Sequence, residues 1–213
     1  MFSPSGQGDH STVRIVFTLT SSVREDYRAE DFLHSIAGRI MACHENDKKA
    51  QQVGYINASL AQFGHALDHG ICADQLGDGL AGGIAEYWER LFDVENGRWK
   101  AALQDEFEVV ERDLLIIDCI EIYPQFRGQG LGLATVERTI DTLGAGCGLV
   151  ACKPWPLQFT PAFAKDRRKM QRLRSPNTDE MTSLRKLQRY WSRAGFWPFG
   201  ESGIYVMSTS QRQ

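Results

Sequence analysis

The sequence predicts an α/β protein, on three observations. Stretches rich in β-branched and aromatic residues alternate with stretches whose apolar residues recur at helical spacing. The most hydrophobic run, "DLLIIDCIEIY", is apolar on both faces, as a central strand covered on two sides must be. It is followed at once by a glycine-rich turn, "FRGQGLG", and then by an amphipathic helical pattern.

Taken in order, residues 1–12 form a polar, glycine-containing stretch expected to be a flexible tail, and residues 13–213 are expected to make one domain. "TVRIVFTLT" reads as the first strand. "EDFLHSIAGRIM" places Leu33, Ile36, Ala37 and Ile40 at helical spacing and predicts a helix, and "QQVGYINASLAQF" reads as a strand. From Ile71 to Phe107, Leu80, Ile84, Tyr87, Trp88 and Leu91 keep a helical stripe despite Gly77, Gly79, Gly82 and Gly83, which predicts a helical insertion. After the central strand and its turn, Leu133, Val136, Ile140 and Leu143 mark a helix closed by Gly144 and Gly146. "CGLVACK" is the next strand, stopped by Pro154 and Pro156. Leu184, Leu187, Trp191 and Ala194 outline a last helix ending at Gly195, and "GIYVMS" a last strand.

Composition narrows the function classes. With 213 residues, 42% of them hydrophobic, the chain can bury a sizeable core. A net charge of -3 argues against nucleic acid or an anionic membrane as the expected partner. The charge is uneven, since "KDRRKMQRLR", Lys165 to Arg174, carries six Lys or Arg against one Asp; a solvated face is the simpler reading. Five cysteines with no C-x-x-C pair fit a reducing compartment. With no apolar window of membrane-spanning length and no leader-like start, a cytoplasmic protein is expected. "HALDH" spaces His65 and His69 like an inverted zinc-peptidase motif. Asp68 is a methylene too short for the base, and Gly64 and Gly70 argue against a helix, so no metal is expected.

The glycine turn carries the chemistry. A bare loop feeding a helix N-terminus offers unpaired N–H groups and a partial positive charge to a phosphate. Gly132 is followed by Leu133 and Ala134 rather than Lys and Ser/Thr, so this is no P-loop. Gly128, Gly130 and Gly132 run G-x-G-x-G rather than the G-x-G-x-x-G of dinucleotide folds. Arg127, Gly130 and Gly132 fit Arg/Gln-x-x-Gly-x-Gly/Ala, after a strand ending in Ile122 and Pro124.

In those residues the sequence resembles the GNAT superfamily of acetyl-CoA-dependent N-acetyltransferases, closely over Asp113 to Leu149 and loosely over Arg185 to Phe196. The resemblance implies a mixed, mostly antiparallel central sheet with splayed central strands, flanked by helices. It implies that backbone at Arg127, Gly128, Gln129, Gly130, Leu131 and Gly132 holds the pyrophosphate of acetyl-CoA, with the pantetheine pairing near Ile122. It also implies an acidic residue on the central strand that takes the amine proton. Asp118 is the first candidate and Glu121 the second, with simple strand alternation placing them on opposite faces. The family's tyrosine that protonates the departing thiolate falls at Trp191, with Tyr190 one residue early; Trp191 reads as core and Tyr190 as the candidate acid. Trp155 and Phe159 are candidates for lining an acceptor pocket. The expected partners are acetyl-CoA and an amine, with a homodimer as the candidate assembly. A non-catalytic acyl-CoA sensor of the same fold is the competing reading.

Overall fold

A computed structural model describes residues 12–21, 26–43, 50–79, 83–161, 173 and 179–210. The tail, the centre of the insertion at 80–82, His44 and all of the basic stretch except Leu173 lie outside them. The sheet has seven strands: β1 (Thr12–Leu19), β2 (Leu33–Cys43), β3 (Gln51–Ala61), β6 (Asp113–Ile122), β7 (Cys147–Cys152), β8 (Trp197–Phe199) and β9 (Ile204–Ser208). Their order is β1-β2-β3-β6-β7-β9-β8, and every neighbouring pair is antiparallel except β6–β7. The remaining strands, β4 (Phe92–Asp93) and β5 (Arg98–Trp99), make a separate two-stranded hairpin.

Helices cover both faces. On one side lie α1 (Phe63–Asp68), α2 (Ala73–Gly79), α3 (Gly83–Leu91) and α4 (Ala101–Phe107). Their Phe63, Trp88, Leu91, Leu103 and Phe107 bury against Leu114 and Ile116 of β6 and Leu149 and Ala151 of β7. Phe63, Trp88, Phe92 and Trp99 pack as a continuous aromatic group, edge-on, stacked and tilted in turn, with successive centroids 4.1–4.6 Å apart. On the other side, α5 (Leu131–Leu143) and α6 (Glu180–Arg193) supply Val136, Ile140 and Trp191 to a second core with Leu115, Ile117, Val150 and Cys152. Both faces of β7 and of the Leu114–Ile117 stretch of β6 are thus buried, which is why these stretches are apolar throughout. No helix among the described residues is long and apolar enough to cross a membrane.

Three expectations are corrected. The segment read as a helix over Leu33–Ile40 is β2, preceded only by a short 3-10 turn at Ala29–Phe32. Its inward residues are Ile36, Gly38, Ile40 and Ala42, a period of two hidden because the second inward position is glycine. The reason is space, since a side chain at 38 would meet Ile56 Cγ2 at 2.6 Å and the Phe17 ring at 3.1 Å. The insertion is not purely helical, because β4 and β5 interrupt it. "HALDH" is helical through Asp68, with Gly64 in the first turn. The His65 and His69 rings pack edge-on at 4.4 Å and lie against Phe32 and Tyr27. Strand β8 had no sequence signal, being three residues long with a proline at its centre.

Candidate functional site

The two central strands part company. Parallel pairing of β6 with β7 runs from Asp113↔Cys147 to Ile117↔Cys152 and stops, while β6 continues alongside β3 as far as Ile122. Proline residues 154 and 156 divert the chain after β7. Beyond Ile117 the edge of β6 therefore faces a cleft of about 410 Å3. Its walls include residues 117–122, Arg127, Gly132, Lys153, Trp155, Leu157, Lys186 and Tyr190. Trp155 stands at this cleft and Phe159 does not line it.

A β-bulge sets which side chains look where. In the β3–β6 ladder Asn57 faces Cys119 but Ala58 faces Ile117, so Asp118 is inserted without a partner of its own. Residues paired across an antiparallel ladder share a face, so the alternation changes phase here. Leu115 and Ile117 face the α5–α6 side, and after the bulge Ile120 faces it too, packing in the same core. Asp118 reaches Ser59, the partner of Ile116, and Glu121 lies opposite Tyr55, so both carboxylates lie on the face of the insertion. This corrects the expectation that Asp118 and Glu121 occupy opposite faces, because strict alternation cannot anticipate an extra residue.

Both carboxylates line the cleft but differ in access: Asp118 is exposed, whereas Glu121 is only 3% exposed. Surrounding protein desolvates Asp118 and raises its pKa above the ordinary carboxylate value, and the hydrogen bond from Ser59 Oγ to Oδ2, 2.8 Å, opposes that rise. Tyr87 of α3 is buried in the core on the insertion side, and burial is the first cause that raises its pKa. Glu86 of α3 accepts from Lys153 Nζ at 2.7 Å and ties the insertion to the cleft wall.

At the other end of the cleft stands the glycine loop. A 3-10 turn, Pro124–Phe126, leads to Gly128 and Gly130 with φ of 80° and 78°, and Gly130 is the N-cap of α5. Among the described residues no side chain caps this helix, and its first internal bond is from Ala134 N–H to the Gly130 carbonyl. The N–H groups of the first turn thus have no intrahelical acceptor. A Cβ at Gly128 or Gly130 would meet nothing within 4 Å, so open space lies over the loop and the left-handed φ is what requires glycine. Arg127 to Gly130 are exposed. This bare, uncapped turn has the features that a pyrophosphate contact needs.

Arg127 does more than occupy its place in the loop. Its Nε donates to the Ile122 carbonyl at 2.8 Å, clamping the loop to the end of β6. Tyr123 N–H bonds Val53 of β3, so the Ile122 carbonyl, on the opposite edge of that trans peptide, points towards the departed β7. Sequence reasoning missed this clamp, since nothing in a spacing pattern announces a side chain bending back five residues.

Tyr190 reaches the cleft and Trp191 is 4% exposed in the core, stacked edge-on to Phe196 at 5.1 Å. The Tyr190 hydroxyl lies against the backbone of Gly132, where an added Cβ would overlap it and stand 3.3 Å from Cζ. Burial, and then the charge of Glu137, push its pKa up to about 12. Gly132→Ala is therefore expected to cost about 1–3 kcal/mol of stability through overpacking. Tyr190→Phe should return most of that loss in the double variant, as denaturant unfolding of the four proteins would show; equal losses in both backgrounds would refute the contact.

No protein-family model matches the chain, and no curated protein does. Among solved structures it is similar to the apo form of a variant agmatine N-acetyltransferase, at 16% identity over 79% of this chain and 73% of that one, with a TM-score of 0.37. It is also similar to the Drosophila melanogaster polyamine N-acetyltransferase that forms N-acetylagmatine, at 17% identity over 79% and 73%, with a TM-score of 0.36.

Proposed function

We propose that the protein is an N-acetyltransferase that moves an acetyl group directly from acetyl-CoA to an amine. One observation carries the reading: the cleft opened where β7 leaves β6 runs from an uncapped glycine turn at Gly132 to a carboxylate at Asp118. A phosphate site and a proton acceptor joined by a slot beside a free strand edge are what thioester aminolysis requires.

In this reading the N–H groups from Gly128 to Gly132 hold the pyrophosphate, and the pantetheine lies along the β6 edge. The Ile122 carbonyl is engaged by Arg127, so the edge groups of Ile120, two residues back on the same side, are the pantetheine's nearest alternative. An amine with an ordinary pKa near 10.4 must lose a proton before it attacks. Asp118, open to the cleft, takes that proton directly or through water, with Ser59 fixing the carboxylate. Glu121 is buried on the same face of the strand and stands as the second candidate for the proton acceptor.

Tyr190 serves as a hydrogen-bond donor to the departing sulfur. Its pKa near 12 keeps it protonated. Handing the proton over fully to a thiolate of pKa about 8.5 would be uphill by about 5 kcal/mol, so stabilisation of the thiolate, not complete transfer, is its part. Tyr190→Phe should lower kcat about 10-fold and leave acetyl-CoA affinity within about 2-fold, a split that single-turnover kinetics and calorimetry would read.

The decisive experiment measures coenzyme A release from acetyl-CoA with a panel of small amines, amino acids and lysine peptides, alongside calorimetric titration of acetyl-CoA. Turnover with at least one amine is expected. Tight binding without turnover on any amine would leave the acyl-CoA sensor as the reading, and absence of binding would remove both.

A further inference from the structure

The two edges of the sheet are built differently. At one end β8 is three residues long, carries Pro198, and exposes Trp197 at 63%. Short length and proline are the usual protections of an edge against pairing with another chain. At the other end β1 is eight residues long with no proline, no acidic residue and a single cation, Arg14. Among the described residues β1 pairs with β2 alone, so its outer row of N–H and C=O groups faces outwards.

The pattern along β1 is self-complementary. Val13, Ile15, Phe17 and Leu19 lie opposite Ala42, Ile40, Gly38 and Ile36 of β2, and therefore line one face. Ile15 and Phe17 are partly buried, while Val13 and Leu19 are 38% and 46% exposed. The exposed pair sits symmetrically about Val16. An antiparallel partner strand of the same sequence, centred on Val16, would place each Val13 opposite the other copy's Leu19 and each Ile15 opposite Phe17. Arg14 would face Thr18, so the two cations stay about four residues apart along the strands.

We propose that β1 pairs antiparallel with β1 of a second copy about a two-fold axis through Val16, joining two seven-stranded sheets into one. The interface is isologous, as a closed dimer needs. It lies at the sheet edge furthest from the β6–β7 cleft by strand order and so stands apart from the proposed chemistry.

The test uses the full chain in sedimentation equilibrium over a concentration series. The wild type should form a reversible dimer, half dissociated on the order of 10 μM, as fits an interface at the small end of the specific range. Val13→Glu with Leu19→Glu brings like charges face to face and should yield a monomer. Val13→Lys with Leu19→Glu sets each Lys against a Glu of the partner and should restore the dimer. Circular dichroism should show all three folded, because both positions are exposed. A wild type that stays monomeric to about ten times that concentration, or a dimer equally tight in both double variants, would overturn the proposal.

Discussion

Gly130→Asp raises the Kd for acetyl-CoA about 100- to 1000-fold while the protein stays folded. Two costs must be separated. A non-glycine residue at φ 78° carries a local penalty of about 1 kcal/mol, and Asp and Asn tolerate this region better than other side chains. A new Cβ meets nothing within 4 Å, so there is no packing cost in the unliganded protein. The second cost is electrostatic. A carboxylate about 4 Å from a phosphate charge opposes it by about 4 kcal/mol in surroundings of intermediate dielectric, which is nearly a thousandfold in affinity. Gly130→Asn is the control, matching the backbone strain and bulk without the charge, and should lose about 10-fold or less. Calorimetry on the three proteins decides it, and unchanged affinity in the Asp variant would remove the phosphate from this loop.

The second large effect belongs to Asp118→Asn, which should lower kcat by about 100- to 10,000-fold if the carboxylate accepts the amine proton. Stability should move the other way. Burial raises the folded-state pKa of Asp118 above its ordinary value, so the folded protein holds this proton more tightly than the unfolded chain does. The charged form therefore destabilises the fold. That penalty is absent well below about pH 3.9, grows as pH rises through the interval up to the folded pKa, and is complete above it. At pH 7 the Asn variant should melt at or above the wild-type temperature, since its amide oxygen can still accept from Ser59 Oγ. The two melting temperatures should converge as the pH approaches 3. The acid limb of kcat/KM, set by the raised carboxyl in the wild type, should vanish from whatever activity the variant retains. A variant with normal kcat would shift the base role to another group, with Glu121 next in line.

How much of this was legible in the sequence depends on whether the signal was local. The central strand, the glycine turn and α5 are adjacent in the chain, and their apolar spacing and glycine positions state the geometry directly. Strand β2 was misread because a packing demand from Ile56 and Phe17, both distant in sequence, put glycine where its pattern needed an apolar residue. The shared face of Asp118 and Glu121 was hidden for a related reason. The bulge is a property of the β3–β6 ladder, and one strand read alone keeps strict alternation. Tyr190 was legible as a candidate from its place beside Trp191, but its seat against Gly132 depends on how α6 crosses α5. The Arg127 clamp had no sequence signal at all.

Strand order also says something about synthesis on the ribosome. The neighbour that shields the outer side of β7 is β9, which emerges more than fifty residues later and contributes Ile204 and Val206 to one core and Tyr205 and Met207 to the other. A nascent chain that has reached the end of β7 carries a wholly apolar strand whose outer flank is still bare, and it lacks the helix bearing Tyr190. That interval is when chaperone capture, or pairing with a wrong strand, threatens the molecule most.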